Sequence, residues 1–387
     1  MKRILFNRRN LAIAGMAALM AGCQVIPKSQ PTAPPPVATP APEPTATELP
    51  TDEKRHRVAL LVPLSGENGE VGQSIANATT MALLDTNADN LRITTYDTTA
   101  GAAAAAARAV ADGNRLILGP LLSENVSSVL AETRKSGVPL ISFSNDTGVA
   151  GPNVFVMGHV PEQSISRTVA YARSRGASTF AALLPDGDYG KRAASALSDA
   201  LRSYGGSLAG TERYTRANQS IVSAAQRLKQ RGGYDTVLIA DNPRLATIAA
   251  GELRNDGAVT RILGTELWSG EASATRANAL RGALFSAVSD QRLKRFNDSY
   301  ETRFGTKPYR IATLGYDAVL LALRIARDWR VGRSFPTGQL YDRGGFLGID
   351  GAFRFGRNGV VERALEVREV GNGTIDTVSP APTRFQD

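Results

Sequence analysis

The chain has 387 residues, 42% of them hydrophobic and 21% charged, figures ordinary for a soluble globular protein with room for two domains or lobes plus accessory segments. One cysteine excludes an internal disulfide and any thiolate cluster for zinc or iron–sulfur, and two histidines, His56 and His159, leave little for hydrolase or metal chemistry. The formal charge is +9, but Lys2, Arg3, Arg8 and Arg9 open the chain; without residues 1–22, 41 basic residues face 36 acidic ones, a mild +5.

Residues 1–22 read as a secretion signal: a basic start, the mostly apolar run Leu11–Met20, then Ala21-Gly22-Cys23. That apolar stretch is too short for a permanent helix across a bilayer core of about 30 Å. Leu19-Met20-Ala21-Gly22-Cys23 resembles a bacterial lipobox, which implies a lipid on Cys23, and Gln24 after it implies the outer membrane as destination. Residues 23–56 are expected to be a disordered tether. Nine of the 27 residues from Gln24 to Pro50 are proline, a composition that buries no apolar area and extends as polyproline, reaching up to about 80 Å at ~3.1 Å per residue.

From Arg57 onward apolar bursts alternate with helical patterns. Strands are predicted at 57–64, 91–96, 116–118, 138–142, 179–184, 207–214, 236–240 and 261–264. Helices are predicted at 72–84, 101–111, from 123, from about 160 to 173, at 190–203, 221–231, from 243, and at 310–327. Short strands separated by helices indicate parallel sheets covered on both faces. The rhythm restarts after His159, so two α/β lobes are expected. Residues 57–159 and 288–344 would form the first, 160–287 and 345–381 the second, and 382–387 a tail.

Enzyme signatures are weak. Gly66-x-x-Gly69-x-x-Gly72, with Asp97 ending the second strand, mimics a dinucleotide fingerprint. Its spacing is wrong, and Glu67 and Glu70 stand where a pyrophosphate needs positive potential. No serine sits in a Gly-x-Ser-x-Gly elbow. No cofactor, no metal and no catalytic residue is expected, and scattered basic residues on an exported chain argue against nucleic acid. Recognition remains. In open parallel sheets ligands bind beyond the carboxyl ends of strands, where this chain places Ser65, Ser123, Ser144, Asn145, Asp146, Tyr189, Asp241, Glu266 and Trp268. Hydroxyls and backbone amides suit a carboxylate, a glutamate suits an ammonium group, and Tyr189 with Trp268 would wall a cleft between lobes.

Val62-Pro63-Leu64-Ser65-Gly66, Val138-Pro139-Leu140-Ile141-Ser142-Phe143-Ser144-Asn145 and Asp188-Tyr189-Gly190 resemble type I periplasmic binding proteins of the leucine-binding class. That resemblance, over about residues 57–380, implies two doubly wound α/β lobes joined by a three-crossing hinge. Gly119-Pro120-Leu121-Leu122-Ser123, Leu263-Gly264-Thr265-Glu266-Leu267-Trp268, Leu314-Gly315-Tyr316-Asp317 and Gly348-Ile349-Asp350-Gly351 are similar to the penicillin-binding-protein activator lipoproteins (LpoA-type) within that class. This closer resemblance implies an outer-membrane-anchored, non-catalytic activator of a peptidoglycan synthase, a class A penicillin-binding protein. The alternative is the solute-binding component of an amino-acid or small-molecule importer. By the leucine-binding resemblance Ser123 and Tyr189 match ligand contacts and Glu266 the ammonium partner. Asp146 falls near the ligand carboxylate, where two like charges in a closed cleft cost several kcal/mol, an expectation that disfavours ordinary amino-acid capture.

Overall fold

The structure, a computed structural model, describes residues 54–257, 259–382 and 385. The secretion signal, Cys23 and most of the tether lie outside the described residues. Strand β1 (His56–Val62) begins the folded body. The expected tether therefore ends too late, because His56 is buried in this strand and stacks on Trp329 with ring centroids 4.0 Å apart.

The chain continues through α1 (Gly69–Asp85), β2 (Leu91–Asp97), α2 (Ala102–Ala111), β3 (Leu116–Leu118), α3 (Val126–Thr133), β4 (Leu140–Ser142) and β5 (Val154–Val156). These strands form one parallel sheet in the order β2-β1-β3-β4-β5. Val58 to Val62 are all buried because helices cover both faces of the strand, which is why β1 reads as an unbroken apolar run. On α2, Ala102, Ala105, Ala106 and Ala109 are buried, the spacing of one helix face, and pack with Ala59, Leu61, Ile117 and Leu140 of the sheet.

The second lobe repeats the scheme with α4 (Pro161–Ser174), β6 (Thr179–Pro185), α5 (Asp188–Tyr204), β7 (Ser207–Tyr214), α6 (Asn218–Arg231), β8 (Thr236–Ile239), α7 (Pro243–Arg254), β9 (Arg261–Leu263), the single turn α8 (Ala272–Thr275) and β10 (Leu284–Val288). The chain returns to the first lobe as α9 (Leu293–Phe304) and α10 (Thr313–Ala326), followed by a small antiparallel sheet of β11 (Phe346–Gly348), β12 (Gly351–Phe355) and β13 (Val361–Arg363). It ends on the second lobe with β14 (Leu365–Val370), antiparallel to β10, and β15 (Ile375–Ser379), antiparallel to β14. The second sheet reads β15-β14-β10-β9-β8-β6-β7. Its parallel part, taken from β7, has the same winding as the first sheet.

The chain thus crosses between lobes near residues 157–160, 289–292 and 364. One expected boundary is wrong. Residues 345–363 belong to the first lobe, since Phe346, Phe353, Phe355 and Val361 pack in one core with Leu60, Phe155 and Leu321. Phe353 and Phe355 on alternate positions of β12, with Phe346 of β11 and Val361 of β13, bury against that lobe and leave only β14 and β15 for the second.

In each lobe the first strand hands over to its helix through a glycine. A Cβ on Gly72 would lie 1.8 Å from the Pro63 carbonyl oxygen, and one on Gly190 1.8 Å from that of Pro185. The Gly66–Gly72 loop is therefore a packing device that seats α1 against the end of β1. Among the described residues no helix is long and apolar enough to cross a membrane.

Candidate functional site

Both parallel sheets reverse winding direction between their first strand and its neighbour, β1 and β3 in one, β6 and β8 in the other. The crevice beyond the carboxyl ends of such strands is where open α/β sheets bind ligands. Here the two crevices face each other across a cleft of about 510 Å³. The first lobe supplies Val71, Leu121, Leu122, Ser123, Glu124, Phe143, Ser144 and Asn145; the second supplies Glu266, Leu267, Ser269 and Glu271. Arg310 and Ile311 close it from the side of the crossings.

Glu266 opens a 3-10 turn over 266–268 that follows β9, and Thr265 fixes the turn by accepting the Leu267 N–H (3.4 Å). Its Oε1 accepts from the Tyr189 hydroxyl at 2.9 Å, and that hydroxyl also lies 2.9 Å from Thr265 Oγ1. Oε2 is shielded from solvent and has no hydrogen-bond partner among the described residues. Burial pushes the Glu266 carboxyl up to about 7, with the Tyr189 hydrogen bond opposing the rise. Burial, then the neighbouring Glu266 charge, raises the Tyr189 phenol well above its ordinary value.

Of the other expected site residues, Ser123, Ser144 and Asn145 line the cleft. Ser144 Oγ accepts the Asp146 N–H at 3.0 Å. Asn145 offers its carbonyl to Arg192 Nη2 of the opposite lobe (2.5 Å), and Arg192 is held by both oxygens of Glu162 at 2.7 Å. Four residues fall elsewhere. Ser65 is exposed at the tip of the β1–α1 loop and pairs with Thr99. Asp146 caps a 3-10 turn, its Oδ1 accepting the Gly148 N–H at 2.9 Å, so it does not line the cleft and its anticipated clash with a ligand carboxylate is absent. Asp241 is spent inside the second lobe on the Tyr214 hydroxyl and Arg216 Nε, both at 3.0 Å. Trp268 is fully buried, packs on Phe285 and donates its indole N–H to the Asp241 carbonyl (2.8 Å). It forms no wall of the cleft, because a 3-10 turn aims residues 266 and 268 in different directions, and Tyr189, expected as the other wall, stands behind Glu266 rather than among the lining residues; the apolar lining is Leu267 with Val71, Leu121, Leu122, Phe143 and Ile311.

Beneath the cleft lies an ionic cluster on the crossings that the sequence reading did not identify. Asp350, fully buried in the turn between β11 and β12, accepts from Arg310 Nη1 at 2.8 Å, His159 Nε2 at 2.7 Å and Thr313 Oγ1 at 3.0 Å, with Arg363 Nη1 at 4.0 Å. Burial pushes the Asp350 carboxyl up, but Arg310, His159 and Arg363 outweigh it and hold it well below the usual carboxylate range. Burial keeps the His159 imidazole below its ordinary value despite Asp350, so near neutral pH it donates as a neutral ring. The turn consists of Ile349 and Asp350 between the paired Gly348 and Gly351, and no local sequence pattern marks an aspartate at that position as the centre of an ionic cluster.

A Rickettsia prowazekii protein of uncharacterized role is 26% identical over 214 residues, 52% of this chain; the chain spans 57% of that relative's length. Among solved structures, the branched-chain amino acid transporter substrate-binding protein LivJ of Streptococcus pneumoniae, in complex with isoleucine, superposes with a TM-score of 0.63 at 20% identity, covering 84% of this chain and all of that one. The C-domain of LpoA from Haemophilus influenzae, a regulator of PBP1A, superposes with a TM-score of 0.65 at 20% identity, covering 83% of this chain and 99% of its own. At these identities the likeness is one of fold. A family model for periplasmic binding proteins matches residues 56–371, and with that much of its length matched the chain belongs to the periplasmic binding protein family.

Proposed function

We propose that this protein is a periplasmic solute-binding protein that encloses a small ammonium-bearing molecule between its lobes and does not transform it. The observation that carries this reading is Glu266, a carboxylate with one oxygen held by Tyr189 and the other shielded from water, facing the cleft and unpaired. A buried acceptor without a donor is costly, and a ligand ammonium group supplies both a hydrogen bond and a compensating charge. Ser123, Ser144 and Asn145 across the cleft offer polar groups to the rest of the ligand. The isoleucine bound by LivJ is a ligand of this class, and an importer is the partner this reading calls for.

Calorimetry against an amino-acid panel tests it. Glu266→Gln is expected to weaken binding about ten- to hundredfold, the usual worth of a hydrogen bond to a charged group. With the carboxyl raised to about 7 and the ligand ammonium charged throughout, affinity should rise with pH and be about tenfold greater at pH 8 than at pH 6. The pH dependence should vanish in the variant. Saturable binding that Glu266→Gln leaves unchanged would overturn the proposal.

A second reading rests on the lipobox at Cys23 and the proline-rich tether, together with the likeness to the LpoA C-domain. On that reading the lipid anchors the protein to the outer membrane, the tether spans the periplasm, and the lobes act on a class A penicillin-binding protein. The two readings are compatible if occupancy of the cleft governs the partner.

A further inference from the structure

The chain as a whole is basic, with 45 lysine and arginine residues against 36 acidic ones, yet the ionisable groups lining the cleft run the other way. Three glutamates, Glu124, Glu266 and Glu271, face one guanidinium, Arg310. The charge of Arg310 is already met by Asp350 at 2.8 Å and Asp290 at 3.7 Å. Glu124 stands on the first-lobe lip and Glu271 on the second-lobe lip, both exposed and neither in an ion pair among the described residues. A cleft lined by one sign of charge concentrates ligands of the opposite sign.

The inner end of the cleft carries an open acceptor. Glu266 Oε2 lacks a hydrogen-bond partner among the described residues, and Glu266 borders a small chamber of about 30 Å³, room for a single small polar group. An acceptor left open there matches the α-ammonium of an amino acid. Between this end and the two lip glutamates the walls are apolar, with Leu121, Leu122, Leu267 and Ile311. We infer that the ligand is a basic amino acid: its α-ammonium on Glu266, its α-carboxylate toward Ser123, Ser144 and Asn145, its methylene chain along the leucines, and its side-chain cation between Glu124 and Glu271. This inference rests on the solute-binding reading and adds to it the class of solute.

The experiment is calorimetry on the full chain in detergent with lysine, norleucine (the same chain without the terminal ammonium), isoleucine and glutamate as free amino acids. Lysine should bind roughly tenfold or more tighter than norleucine, as expected for two partly exposed charge pairs, and glutamate more weakly than norleucine. The double variant Glu124→Gln, Glu271→Gln should bring lysine within about twofold of norleucine and leave norleucine's own affinity within about twofold of its starting value. Norleucine or isoleucine binding as tightly as lysine would overturn this inference and leave the solute-binding reading standing. A lysine preference that survives the double variant would overturn the roles given to the lip glutamates. Absence of saturable binding by any amino acid would overturn both.

Discussion

Replacement of Asp350 by alanine should destabilise the protein by about 3–5 kcal/mol, the cost of removing one partner from a buried ionic cluster. The carboxylate sits in the β11–β12 turn and joins three segments far apart in sequence, through His159, Arg310 with Thr313, and Arg363. Arg363 in turn donates to the Met157 carbonyl at 2.7 Å, so two of the three crossings are tied to one another through this cluster. Without the carboxylate Arg363 loses its ion-pair partner and Arg310 keeps only Asp290 at 3.7 Å, while both guanidinium groups stay out of water, which is where most of the loss arises. Asp350→Asn keeps the shape and some hydrogen bonds but not the charge, and should cost less. Urea unfolding checks both; a loss below about 1 kcal/mol for the alanine variant would mean the cluster is hydrated in solution and contributes as surface pairs do.

The second large effect is expected at Trp268. Truncation to alanine should cost about 3–5 kcal/mol, the range for deleting a large aromatic from a packed core. It removes the contact with Phe285 and the hydrogen bond to the Asp241 carbonyl. It also empties the space against Gly264, where even a Cβ would meet the indole ring at 2.4 Å. Because Trp268 ends the turn that Glu266 begins, the same variant should weaken amino-acid binding as well as stability. The chain has two tryptophans, Trp268 in the second lobe and Trp329 in the first, so each reports on one lobe. In Trp268→Ala the remaining fluorescence should follow the first lobe alone. Unchanged urea stability together with unchanged affinity would show that the turn is held by something other than this side chain.

Much of the architecture was legible because parallel strands covered on both faces must be apolar throughout, and Val58–Val62 and Phe180–Leu184 advertise this. Strand β5, three residues long, and β10, whose Ser286 and Ala287 interrupt the apolar run, carry too little pattern to be recognised alone. The C-terminal antiparallel strands escaped for another reason: their membership of one lobe or the other is decided by aromatic side chains meeting a core assembled some 200 residues earlier. At the site, Ser123, Ser144, Asn145 and Glu266 were accessible from the rule that strand ends carry ligands. Trp268 and Asp146 were not. Each lies within two residues of a true lining residue, and only the local turn decides which way it points. Arg310, Glu124 and Glu271 carry no local signal at all, since a charged residue in a loop is ordinarily just solvated.

The identical winding of the two sheets, each with its first helix seated on a proline carbonyl through Gly72 or Gly190, makes the molecule two copies of one plan brought mouth to mouth. A cavity framed by matched halves has no built-in sense of which way round its guest should lie. Orientation must come from whatever breaks the likeness, and here the two halves differ in Ser123-Glu124 on one side and Glu266-Leu267 with Glu271 on the other. Selectivity in this fold is therefore set by a handful of rim positions that can be exchanged while the scaffold beneath them stays as it is.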